Sequence, residues 1–123
     1  MAIKREVVRV TTTGSAGSAS GSATTTAIVG ELLQIYLNFH GSAPATTDTT
    51  ITAATDGYTV WAATNTVTDV LIAPAVAPVN ASNSAITNAH RPMAVADRLT
   101  IALAQCDALT DALVATVVWR DGD

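Results

Sequence analysis

Residues Glu31 to Phe39 read ELLQIYLNF, and the fold turns on how their apolar side chains are spaced. Leu33, Ile35, Leu37 and Phe39 fall on one side of an extended chain, and Gln34, Tyr36 and Asn38 fall on the other. A two-residue period is the pattern of a strand with one buried face. A helix is the competing reading, because Ile28, Leu32, Ile35 and Phe39 recur at spacings of four, three and four. Strand is favoured, since the Thr24-Thr25-Thr26 run and Gly30 both weaken a continuous helix.

Working toward the N-terminus, Ser22 to Val29 (SATTTAIV) is a second strand segment, and the Gly/Ser tract from Gly14 to Gly21 is a loop. Glu6 to Thr13 (EVVRVTTT) is a third segment, its branched Val and Thr side chains suited to a pleated strand. Residues 1–5 are expected to form an N-terminal arm.

Toward the C-terminus, the loop His40 to Pro44 leads to Thr46 to Thr55, then Asp56-Gly57, then Tyr58 to Ala63. An Asp-Gly pair between two Thr-rich runs is a hairpin signal, because Gly accepts a positive φ at no steric cost. Val67 to Ile72 is another short apolar run. The stretch 73–92 holds Pro74, Pro78 and Pro92 together with several Asn, which predicts one long loop. Arg98 to Cys106 and Ala112 to Arg120 are two further strands, expected to pair as a C-terminal hairpin near the centre of the fold. Helical spacing of Leu99, Leu103 and Cys106 leaves a helix open for the Ala-rich stretch 94–113, whereas Thr116, Val117 and Val118 favour strand. Asp121-Gly122-Asp123 has too few ligand positions for a calcium loop and is expected to be an acidic tail. Seven or eight short strands in one domain spanning 1–123 predict an all-β, antiparallel β-sandwich of jelly-roll type.

Composition narrows the function. There are 24 Ala and 20 Thr against five aromatic residues, which predicts a core of small side chains. Charged residues are 13% of the chain, against roughly 25% in average soluble proteins. So uncharged a surface is expected to be covered in part by other subunits, and self-association as a dimer or trimer is expected. The net charge of −4 and the scattered Lys4, Arg5, Arg9, Arg91, Arg98 and Arg120 argue against nucleic-acid binding, which needs a basic stripe. No apolar run follows the basic residues of the first ten, and no stretch of about 18 apolar residues occurs, so neither a signal peptide nor a membrane span is expected.

Chemistry-bearing residues are sparse. His40, His90 and the lone Cys106 lack neighbours in sequence that would activate them, so no catalytic residue, cofactor or metal site is expected and Cys106 reads as a buried thiol. Tyr36, Tyr58 and Trp61 could form a stacking platform for sugars if exposed together. Pro74, Val76, Pro78 and Val79 place apolar groups on the long loop, and Arg91 and Pro92 close it; these six are the candidate partner interface.

The order of segments carries a resemblance. Val8 to Thr13 (VRVTTT), the Gly/Ser/Ala tract, Gly30 to Ile35 (GELLQI), Asp48 to Thr52 (DTTIT), Arg91 to Gln105 (RPMAVADRLTIALAQ) and Ala115 to Trp119 (ATVVW) together resemble small all-β virion proteins of tailed bacteriophages. The resemblance covers most of the chain. It implies a capsid cement or decoration protein on the outer capsid surface of the virion, made in the host cytoplasm, that binds major capsid protein and locks neighbouring subunits. An alternative is a carbohydrate- or receptor-binding sandwich of the phage particle, which needs Trp61 or Tyr58 exposed beside polar groups.

Overall fold

Strands with one apolar stripe are stable only when that stripe is covered, and here two sheets cover each other. The computed structural model describes residues 2–122; they form ten strands and no helix. The strands are β1 (Ile3–Val10), β2 (Ala19–Thr24), β3 (Ile28–Phe39), β4 (Asp48–Ala53) and β5 (Thr59–Ala63), then β6 (Val70–Ile72), β7 (Ala75–Val76), β8 (Arg91–Asp97), β9 (Leu99–Cys106) and β10 (Leu113–Asp121). One sheet has the order β1-β10-β3-β8-β7, with β6 also paired to β3, and the other has the order β2-β9-β4-β5. All pairings are antiparallel.

Eight of these strands, β1-β10-β3-β8 facing β2-β9-β4-β5, have the two-sheet winding of a jelly roll. The sandwich is therefore as expected, and the count rises to ten because β6 and β7 are inserted between β5 and β8. The β4–β5 hairpin also forms where Asp56-Gly57 placed it, with Gly57 at φ 78°.

Several expectations are corrected. Arg98 to Cys106 and Ala112 to Arg120 do not pair with each other: β9 lies between β2 and β4, and β10 lies between β1 and β3 in the opposite sheet. Both are central, but their connection crosses the sandwich instead of turning back within a sheet. The N-terminal arm is a strand from Ile3 onward, with Ile3 level with Arg120 and Lys4 with Trp119. Asp121 is not in a tail but closes β10, its N–H donating to the Ala2 carbonyl at 2.8 Å, and Gly122 donates to Val29 O at 2.9 Å. Asp123 lies outside the described residues.

The alternation in β3 also changes phase. Val118 pairs with Gln34 but Trp119 pairs with Leu32, so Leu33 is the extra residue of a β-bulge. Leu32 turns inward with Ile28, Ile35, Leu37 and Phe39, and Leu33 is only half-buried. Two residues further up, Gly30 sits at φ 145° against the β10 backbone; a Cβ there would run into the Arg120 carbonyl.

The core consists of large side chains, contrary to the small-residue expectation. Ile28, Leu32, Ile35, Leu37, Ile51, Leu99, Ile101, Leu103 and Leu113 are all fully buried, each contributing about 1.5–3 kcal/mol relative to exposure. Of the alanines only Ala19, Ala53, Ala112 and Ala115 are buried. Most Ala and Thr instead face outward, as in the level row Thr24, Thr100, Thr52, Thr59 across the second sheet.

Carboxylates hold the connections. Asp69 accepts the Phe39 N–H at 2.8 Å, Asp48 that of Asn65 at 3.0 Å, Asp107 that of Gly17 at 2.9 Å, and Glu6 that of Thr26 at 3.1 Å. Asp97 accepts four hydrogen bonds, from the N–H groups of Thr55 (2.8 Å), Asp56 (3.3 Å) and Arg98 (2.7 Å) and from the Thr55 hydroxyl (3.0 Å). Much of the small charge complement is thus spent on backbone donors that would otherwise be unpaired.

Candidate functional site

Residues 73–92 leave the first sheet between β6 and β8 as an ordered finger and not as one open loop. At its root Ala75 pairs with Pro92 and Val76 with Arg91. Pro92 is tolerated because the pairing of β8 with β3 begins only at Met93, so its missing N–H interrupts no ladder on that side. Higher up, Ile86 N–H donates to Pro78 O at 2.9 Å, and Val79 bridges to Ala85. The tip is closed by Asn80, whose N–H donates to Ser84 O at 2.9 Å and whose Oδ1 accepts the N–H groups of Ser82 and Ser84 at 2.9 and 3.1 Å. Asn83 and Asn88 both sit at φ 63°, the left-handed region that Asn enters more readily than most residues.

Of the six candidate interface residues, Val76 and Val79 are 44% and 55% exposed, Arg91 and Pro92 are exposed, and Pro78 is half-buried. Pro74 is buried, so it anchors the finger instead of presenting a surface. Ile86, 43% exposed, joins the set. It was not singled out from the sequence, because only the Val79–Ala85 bridge and the hydrogen bonds beside it show that 79–86 doubles back and brings Ile86 beside Pro78.

The remaining candidates are dispersed. His40 follows β3, where its Nδ1 accepts the Ser42 N–H at 2.9 Å, and His90 is exposed just before β8. Cys106 is fully buried at the end of β9. Among the described residues no group of three or more His, Cys, Asp or Glu side chains could hold a metal ion. The aromatic platform is not assembled. Trp61 is level with inward-facing Ile51 and packs on the core, Tyr58 lies in the connection between β4 and β5, and Tyr36 is on the outer face of the opposite sheet.

An open cleft of about 620 Å³ lies at one end of the sandwich, lined by Lys4, Glu6, Thr26, Val29, Trp119 and Asp121. Its polar groups serve the fold. Glu6 takes the N–H and, at 2.7 Å, the hydroxyl of Thr26, and Lys4 Nζ lies 3.3 Å from Asp121 Oδ2. Asp97 titrates below the ordinary aspartate range. The Thr55 N–H is the main cause, partial desolvation opposes it, and the Arg98 N–H, Thr55 hydroxyl and Asp56 N–H add to the lowering. This carboxylate is the anchor of the β4–β5 turn, standing next to Arg98 and not in a cleft. No protein family, curated protein or solved structure matches the chain.

Proposed function

We propose that this chain is a structural virion protein of cement or decoration type, which binds the outer face of a phage capsid through its 73–92 finger and ties neighbouring major capsid subunits together. The observation that carries the reading is the finger itself. Three apolar side chains, Val76, Val79 and Ile86, are held exposed on a segment fixed by its own hydrogen bonds. A preformed apolar projection loses little conformational entropy on docking, and Arg91 beside it supplies a planar donor for a neighbour's carboxylate or carbonyls. The acidic balance of −4 favours the outside of a shell over its DNA-filled interior. The segment order quoted for the virion resemblance supports the same assignment.

Deletion of Val76 to Asn88 tests it. Ala75 and Pro92 are already paired, and the residues left between them, Ala89, His90 and Arg91, are enough for a short hairpin turn. The shortened chain should keep its far-ultraviolet circular dichroism and lose co-sedimentation with heads assembled from the major capsid protein of the same genome. Undiminished co-sedimentation by the folded deletion would exclude the finger, and no co-sedimentation of the intact chain would exclude the function.

A further inference from the structure

The outer face of the first sheet is more apolar than contact with water requires. Register sets Val7 level with Thr116, Thr116 with Tyr36, and Tyr36 with Leu71, so the four side chains form one row across β1, β10, β3 and β6. Val7 is 37%, Tyr36 40% and Leu71 60% exposed. Val114 and Val118, half-buried on β10, flank Thr116 and extend the apolar surface along the strands. The outer face of the other sheet has no such row; it is mostly Thr, Ser and Ala, with Asp48 at one end.

Charge on this face is graded from one edge to the other. Arg5 and Arg9 project from β1 and Arg120 from β10. Two acidic groups stand on the opposite side: Glu31 on β3, level with Arg120 and 4.0 Å from it within the chain, and Asp69, two residues before Leu71 and so level with Asn38; Asp111, just before β10, already pairs with Arg9 at 3.1 Å. The basic residues that look scattered in the sequence are gathered by the fold, four of the six lying on β1 and β10.

We infer that this face is the contact of a homodimer, two copies packing sheet on sheet about a two-fold axis lying in the contact plane, parallel to the strands and between β10 and β3. Such an axis reverses strand order while keeping each row level. Val7 then covers the partner's Leu71, Thr116 covers the partner's Tyr36, Arg120 meets the partner's Glu31, and Arg9 meets the partner's Asp69, each contact occurring twice. A two-fold across the strands would instead set β1 on β1 and oppose arginine with arginine, which the charge gradient disfavours. Four strands about 4.8 Å apart and four rows about 7 Å apart make a face of roughly 500 Å² per copy. The total of about 1,000 Å² reaches what a specific interface needs. The inference stands apart from the capsid reading, because none of the residues that it uses lies in the finger.

Sedimentation of the full chain in the absence of capsids is the test. The intact chain should sediment at twice its monomer mass, and Leu71→Asp should raise the dissociation constant at least about tenfold. Arg120→Glu and Glu31→Arg should each weaken the dimer alone, because each opposes like charges twice. An equimolar mixture of those two variants should form heterodimers, since both Arg120-to-Glu31 contacts between the copies regain opposite charges. A monomer at all concentrations, as expected if a capsid subunit covers this face, would overturn the inference, and so would a trimer. Dimerisation unchanged in Leu71→Asp, or a mixture of the charge variants no tighter than either alone, would overturn it as well.

Discussion

Replacing Gly30 with Ala should destabilise the chain by about 3–5 kcal/mol, from two costs that the structure separates. Gly30 sits at φ 145°, where an L side chain is strained by about 1–3 kcal/mol. In addition, the new Cβ would run into the Arg120 carbonyl and lie 2.9 Å from Gly122 N, both backbone atoms that cannot rotate away. To relieve that overlap β10 must move off β3, weakening the ladder where Asp121 faces Gly30 and the Gly122-to-Val29 bond beyond it, at about 1 kcal/mol per hydrogen bond. In a domain of this size each kcal/mol shifts the thermal midpoint by about 4 °C, so a drop of about 12–20 °C is expected. Two other glycines serve as controls. At Gly57 (φ 78°) a Cβ meets nothing within 4 Å, so Ala there bears conformational strain alone, about 1–2 kcal/mol. At Gly41, with open space and no positive φ, Ala should be neutral or stabilise by about 0.5 kcal/mol through the unfolded chain. Thermal unfolding of the three variants followed by circular dichroism should rank them in that order. A Gly30→Ala midpoint at or above that of Gly57→Ala would refute the clash.

Two further outcomes are expected. Thr49 is fully buried on β4 and its hydroxyl is without a hydrogen-bond partner, so Thr49→Val, of nearly equal shape, should stabilise by about 1 kcal/mol; a lower urea midpoint for the variant would contradict this. The folded pKa of Asp97 lies below its unfolded value of about 3.9, so its contribution is complete above that pH and is lost as pH falls through the folded value. Asp97→Asn should therefore be less stable than the intact chain near neutrality, with the gap between their thermal midpoints closing below about pH 4, and a gap independent of pH would count against the carboxylate as the anchor.

The sandwich was legible because alternation survives in most strands, as in Leu99, Ile101 and Leu103 on β9, all of which face the core. What alternation does not encode is the partner of each strand. Arg98 to Cys106 and Ala112 to Arg120 look like a hairpin because they are adjacent, yet each finds its neighbours far away in sequence. In β3 the bulge at Leu33 explains why two readings competed. Two full pleats separate Ile28 from Leu32, and the extra residue stretches the next inward step to three, which imitates helical spacing. The N-terminus was misjudged: Arg5, placed in the expected arm, lies on the outer face of an edge strand, and charged edges discourage unwanted pairing. The prolines marked 73–92 as a loop, while its ordering as a finger depends on the Val79–Ala85 bridge and the Ile86-to-Pro78 and Asn80-to-Ser84 bonds, which composition does not show. The row Val7, Tyr36, Leu71 depends on register across four strands, which no local pattern carries.

The placement of β9 and β10 bears on how the chain is made. They are the last two strands in sequence, yet each fills the middle of a different sheet. While a ribosome is still working through the earlier strands, β1 has no partner on its sheet, β2 and β4 stand apart across a gap, and the stripe from Ile28 to Phe39 is open to water on the side β10 will take. The second sheet cannot close until Cys106 has cleared the exit tunnel, nor the first until Arg120 has, so acquisition of structure is delayed to the end of translation of this domain. The nascent polypeptide meanwhile exposes long apolar strand edges of the kind that chaperones cover.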